Sequence, residues 1–267
     1  MCSETQRMTV TTLTPMQRLM LAAREMKSML GLPVSYRDHE FSHLKARADW
    51  SRLPAQRISM LSNLFSTDAD AIRIAVEEAE AIAIDERPAV RPANGAEIGN
   101  PMGITDRITL YVVIRLCKPG VAVETGSAAG ASAIYILTAM EKNSRGILYS
   151  IDSAADRSHL GCLVPIALRD RIKLRYGNSL ALIPEIAGEA GAIDFFLHDS
   201  LHTYAHMTEE YELFYRHMAK SGGVICSHDI LMSNAWGHFI KRYQLKNWGV
   251  VKNLGICRIG ITSDGTD

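Results

Sequence analysis

The chain has 267 residues, 47% hydrophobic and 22% charged, with 29 basic against 29 acidic side chains. That is enough chain to bury a core without disulfide or metal support. Zero formal net charge excludes a dominant basic surface for nucleic acid, and the apolar share excludes a disordered polyelectrolyte.

No apolar run approaches a membrane span, and the polar stretch Met1–Val10 has no signal-peptide core, so a cytoplasmic protein with no membrane or nucleic-acid partner is expected. Cys2, Cys117, Cys162, Cys226 and Cys257 are odd in number and widely spaced, as reduced thiols are. Cys226 and Cys257 lie in apolar runs and read as core.

The first third reads as helices. Thr14-Pro15 joins an N-cap to a first-turn proline, and Met16, Leu19, Met20, Ala23, Met26 and Leu30 recur at helical spacing until Gly31. Leu53-Pro54 opens a second apolar-periodic stretch through Met60, Leu61, Leu64 and Phe65. Thr67-Asp68 caps a third helix carrying Ile72, Val76, Ala79 and Ile82. Residues 85–104, with Pro88, Pro92, Gly95, Gly99, Pro101 and Gly103, read as an irregular loop of the kind that serves as lid or linker. The division falls there: 1–95 as a helical lid or oligomerisation region, with a homodimer favoured, and 96–267 as an α/β domain.

From Thr105 the pattern alternates. Ile108–Leu116 is helical, Val121–Glu124 a strand, Ala131–Met140 a helix, and Ile147–Ile151 a strand ending at Asp152. Ile172–Leu174, Ile193–Leu197 and Gly223–Ser227 are further strands, with a helix over Tyr204–Ala219. Such alternation implies a parallel sheet covered on both faces. Gly249–Lys252 and Ile256–Ile261 are separated by three residues, too few for a parallel crossover, so they form an antiparallel hairpin.

Ligands of open α/β sheets bind beyond the carboxyl ends of the strands. The first strand runs into Glu124-Thr125-Gly126-Ser127-Ala128-Ala129-Gly130-Ala131-Ser132. Gly126 permits a tight backbone approach, and the amides of the next helix can receive a carboxylate. The loop is neither the dinucleotide fingerprint nor a Walker loop, and it lacks a cation for a pyrophosphate. Glu124 suits a cationic ligand. Asp152 after the second strand can accept from a ribose diol. Tyr176-Gly177-Asn178-Ser179 after the third offers groups to hold a base.

The run Lys118 to Gly126 with Gly130-Ala131-Ser132 resembles the first motif of class I S-adenosylmethionine-dependent methyltransferases, and Leu148 to Asp152 resembles their second. Ile193 to Tyr204 and Lys220 to Asp229 resemble the fourth- and fifth-strand motifs of a bacterial natural-product O-methyltransferase subgroup. The likeness spans about 105–262. It implies a Rossmann-like sheet, parallel with an antiparallel C-terminal hairpin strand, plus an N-terminal helical extension. It also implies S-adenosylmethionine as cofactor, held by Glu124, Gly126, Ser127, Gly130, Ser132, Asp152, Asn178, Ser179 and His198. Glu124, Gly126 and Ser132 would take the methionine part, Asp152 the ribose, and Asn178 with Ser179 the adenine.

Asp199 and Asp229 follow two strands expected to be neighbours, so their carboxylates can meet. With His202 they are the candidate catalytic residues, and His202 is the leading base because imidazole titrates near neutrality. A divalent metal at the two aspartates is the less favoured reading. Metal-dependent members of the subgroup place a second acid beside the fifth-strand Asp, whereas His228 and Ile230 stand here. His206 and His217 read as surface or packing residues, and Trp236 as pocket wall or core. The expected activity is O-methylation of a small molecule. The alternative is a same-fold enzyme that cyclises S-adenosylmethionine itself, releasing methylthioadenosine and an azetidine amino acid.

Overall fold

The computed structural model describes residues 55–82, 102–153, 157, 160–218 and 222–260. The expected helix after Thr14, residues 85–101 of the expected 85–104 loop and most of region 1–95 lie outside the described residues, and Ile104 at the end of that loop already belongs to a helix. Two helices precede the α/β alternation: α1 (Ala55–Phe65) and α2 (Ala69–Glu80). Asp68 caps α2 by accepting from the Ala71 amide, as its position predicts. Next come α3 (Ile104–Cys117), β1 (Val121–Thr125), α4 (Ala131–Lys142), β2 (Ile147–Asp152), a 3₁₀ turn (Ile166–Arg171) and β3 (Ile172–Tyr176). The chain continues through α5 (Ser179–Ala190), β4 (Phe195–His198), α6 (Tyr204–His217), β5 (Gly223–Ser227), α7 (Ala235–Arg242), β6 (Trp248–Val251) and β7 (Leu254–Ile259).

The strands form one seven-stranded sheet in the order β3-β2-β1-β4-β5-β7-β6. β1 to β5 pair in parallel, and β7 inserts between β5 and β6, antiparallel to both. The order reverses at β1 and β4, the switch point where open sheets leave a crevice. The sheet's two faces carry separate apolar clusters. One, around Ala122, Leu148, Phe195 and Cys226, packs on α3 and α4; the other, around Val123, Ile151, Phe196 and Cys257, packs on α5, α6 and α7. Alternate residues of each strand divide between the two, as the period of a strand requires.

The hydrophobic runs at β1, β2 and β5 lie within a residue of their expected bounds. Helices α5 and α7 are additions. Pro184 inside α5 masks its helical pattern, and α7 is only eight residues long. The helix α1 packs against the β6 edge so closely that a Cβ on Gly249 would lie 2.3 Å from Met60 Sδ. Cys226 and Cys257 are core residues. Trp236 is also core: it packs edge-on to Tyr211 and flat over Gly255. Among the described residues, no helix is long and apolar enough to cross a membrane.

Candidate active site

A cavity of about 720 Å³ opens at the carboxyl ends of β1, β2 and β4. Its edge is made by the turn after β1. The Gly126 and Ser127 amides both donate to the Ile151 carbonyl, tying the turn to β2. Gly126 has φ +89°, and a Cβ there would lie 2.1 Å from the Asp199 carbonyl oxygen, so only glycine lets this turn rest against the β4 loop. Gly126, Ser127 and Ser132 line the cavity on this side; Asp152, Asn178 and Ser179 line the other, and Asp199 reaches it from β4.

Asp152 Oδ2 accepts the Ala128 amide at 2.8 Å, which fixes the carboxylate against the glycine turn. Asn178 caps α5 by accepting from the Leu180 amide. Its amide is thus held at the cavity wall.

Glu124, Gly130, His198, His202 and Asp229 are not among the residues lining this cavity. Glu124 is 1% exposed and accepts from Ser132 Oγ at 3.0 Å and Ser150 Oγ at 2.6 Å. Burial pushes its carboxyl up to about 7, a rise that the two hydroxyls only partly offset. It therefore braces Ser132 from below. Gly130 turns the chain into α4 with φ +92°, its backbone close to Gly161. His198 is fully buried, its Nδ1 2.6 Å from Glu210 Oε2 and its Nε2 without a partner. Burial lowers its pKa despite the adjacent glutamate.

Beside the cavity, Asp199, His202, His228 and Asp229 gather, each offering a ligand-type atom, all within 4.8 Å of one another. Parallel pairing of His198 with Ser227 brings the ends of β4 and β5 together. His202 Nε2 is 3.6 Å from Asp199 Oδ1 and 3.9 Å from Asp229 Oδ2, without a hydrogen bond. Asp229 sits in the left-handed region at φ 53° and accepts from Asn253 Nδ2. Such a conformation is costly for a residue with a Cβ and is held by its surroundings. Thr203 caps α6 by accepting from the His206 amide.

The centre of this group is His228, which the sequence reading passes over. Its Nδ1 lies 3.0 Å from Asp199 Oδ1 and 3.7 Å from Asp229 Oδ2, and its Nε2 lies 3.5 Å from Asp106 Oδ2. Burial works against its charge, but Asp199, Asp106 and Asp229 outweigh it and push the pKa up to about 11. In return the imidazolium and His202 hold Asp199 down to about 2, against the opposing effect of burial. Asp106, Asn253 and Glu210 come from helices and a hairpin with no motif of their own, so only their acidity or amide chemistry could have suggested them. His206 is a correction to the packing reading: it lines the cavity, with Nε2 2.9 Å from Glu210 Oε1.

Residues 123–230 match a family model described as a methyltransferase domain. No curated protein sequence matches the chain. Among solved structures, an O-methyltransferase from Bacillus cereus in complex with SAH is 15% identical, with 76% of this chain and 97% of that one covered and a TM-score of 0.47. A methyltransferase from Geobacter sulfurreducens is 16% identical, covering 79% and 98%, with a TM-score of 0.47. The MycE methyltransferase of mycinamycin biosynthesis, in complex with Mg, SAH and mycinamycin VI, is 18% identical over 58% of this chain and 48% of that one, with a TM-score of 0.44.

Proposed function

We propose that this chain, whose residues 123–230 match a family model described as a methyltransferase domain, is a class I S-adenosylmethionine-dependent methyltransferase that methylates a hydroxyl oxygen of a small molecule. The observation that carries this reading is the juxtaposition of two sites. A cavity bounded by the Gly126 turn, Asp152 and Asn178 adjoins the half-buried acid and histidine group of Asp199, His202, His228 and Asp229. The first has the groups a nucleoside with a cationic side arm needs, and the second has groups that take up a proton.

The residues fit S-adenosylmethionine by their chemistry. Asp152 is an acceptor for a ribose diol, Asn178 and Ser179 are polar partners for the base, and Ser132 with the first-turn amides of α4 suits the amino acid end. Glu124 supports that end through Ser132. The cofactor supplies a methyl group already activated by its sulfonium. The chain's part is to align an acceptor oxygen and remove its proton. His202 does the latter: its Nε2, without a hydrogen bond, lies 3.6 Å from Asp199 Oδ1 and 3.9 Å from Asp229 Oδ2 beside the cavity.

A divalent ion is not part of this reading. Three carboxylates already surround the ring of His228. Magnesium favours an all-oxygen set, which two histidines spoil. Activity is expected to persist undiminished in EDTA; its loss, restored by a metal, overturns this point.

Natural-product biosynthesis, a cytoplasmic location and a homodimer complete the proposal. The motif resemblance and the apolar periodicity of the N-terminal third support them. The deciding experiment incubates purified protein with S-adenosylmethionine, alone and with candidate hydroxylated acceptors, and reads products by mass spectrometry. S-adenosylhomocysteine appearing only with an acceptor is expected. Methylthioadenosine with an azetidine acid, formed without an acceptor, establishes the cyclase instead.

A further inference from the structure

The hydrogen bonds beneath the cavity converge on a side chain that methyl transfer does not itself require. Glu210, in α6, is fully buried. Its Oε2 accepts from Thr125 Oγ1 at 2.8 Å and pairs with His198 Nδ1 at 2.6 Å. Its Oε1 accepts from Ser179 Oγ at 2.5 Å and Ser200 Oγ at 2.9 Å, and pairs with His206 Nε2 at 2.9 Å. These partners come from the ends of β1 and β4, the loop after β4, the first residue of α5 and the first turn of α6. Thr125, Ser179, Ser200 and His206 line the cavity, whereas Glu210 does not.

A carboxylate has about four lone-pair sites, so five partners saturate it. Burial alone would raise its pKa, but the bonds from His198, His206 and Ser179 keep it well below the ordinary carboxylate range. The charge is therefore part of the arrangement. An amide or protonated acid in its place would turn a hydrogen toward groups that are themselves donors.

We infer that Glu210 is a positioning residue of the cofactor pocket, its buried carboxylate fixing the hydroxyls and the imidazole that form the pocket floor. It also reaches the proton-accepting side. His198, held through Nδ1, meets the His202 ring edge-on with centroids 5.3 Å apart. Holding His206 through Nε2 leaves Nδ1 as the ring nitrogen able to meet a ligand. The inference rests on the methyl-transfer reading for the identity of that ligand.

The test is calorimetric titration of S-adenosylhomocysteine into the full-length wild type, Glu210→Gln and Glu210→Asp, with histidine ring signals followed by NMR. Supporting groups of this kind change affinity by roughly 10–100-fold in metal sites, and about tenfold weakening is expected for Glu210→Gln. Glu210→Asp, which keeps the charge, is expected to fall between it and wild type. The ring signals of His198 and His206 should move in Glu210→Gln while those of His228 stay, a selectivity that a general loss of packing does not produce. A folded Glu210→Gln with wild-type affinity overturns the inference. Should that variant not fold, Glu210→Asp decides it: weakened binding supports the inference and unchanged binding overturns it. Wild type that fails to bind overturns the functional reading and this inference together. Wild type that binds, with variants that bind equally well, overturns this inference alone.

Discussion

Glu124 and Glu210 are two glutamates closed to solvent within the same domain, and their carboxyl pKa values move in opposite directions. Glu124, at 1% exposure, meets two serine hydroxyls, and burial carries its carboxyl up to about 7. Glu210, at 0%, meets three hydroxyls and two imidazoles and is held well below its ordinary value. Burial is the largest single effect on both, and it acts in the same direction. What separates them is the number and kind of donors, because each hydrogen bond to the charged form opposes desolvation. A buried acid is thus a brace that can lose its charge in one place and a fixed anion in another.

The largest expected effect comes from taking away the fixed anion. Glu210→Ala orphans five buried partners and should cost about 3–5 kcal/mol of stability in urea denaturation, the range for breaking buried charged networks. A loss below about 1 kcal/mol would break the comparison. His228→Gln removes the cation among Asp106, Asp199 and Asp229, and a loss of about 2–4 kcal/mol is expected on the same assay. Asp152→Ala should leave stability near wild type and weaken S-adenosylhomocysteine binding roughly tenfold or more, because charge-assisted bonds contribute about 1.5–3 kcal/mol. Unchanged affinity refutes the ribose assignment. Glu124→Gln should be the mildest, within about 1 kcal/mol near pH 6, since the amide resembles the protonated acid in shape and charge.

The pH dependence sharpens the same contrast. Glu210 and Asp199 have depressed pKa values, so the stability they add is present above the ordinary carboxylate range and lost as pH falls through their folded values. Glu124 is raised, so its contribution is complete below 4.5 and is lost as pH rises through about 7. His228 is raised as well, and its contribution is complete below 6.5 and declines as pH climbs toward 11. Thermal melts of Glu124→Gln should therefore lose the decline between about pH 4.5 and 7 and keep both the acid limb and the alkaline one. A variant that melts with the wild-type pH profile shows that Glu124 does not titrate there.

Much of the fold was legible from local pattern. The alternation from Thr105 onward, the stop at Gly126 and the short connection expected at 253–255, found at 252–253, are all signals within a few residues of one another, and the parallel sheet with its terminal hairpin follows from them. The insertion of β7 between β5 and β6 was less so, since a hairpin fixes its own pairing and leaves open which strand faces the sheet. Helix α5 escaped because Pro184 interrupts an otherwise helical run. In the site, Asp152, Asn178 and Ser179 were readable from their place after strands. His228 was not, because its neighbours Asp106 and Asp199 stand far away in sequence and give a histidine no local mark. Glu210 carries no local mark either, because its partners Thr125 and Ser179 stand 85 and 31 residues away in sequence.

The sequence by itself determined which segments are strands, where the chain turns sharply and at which strand ends a crevice opens, because periodicity and glycine act over short distances. Tertiary structure alone decided which acids are charged. That depends on how many donors reach a carboxylate out of water, and here those donors arrive from strands and helices as much as 85 residues apart.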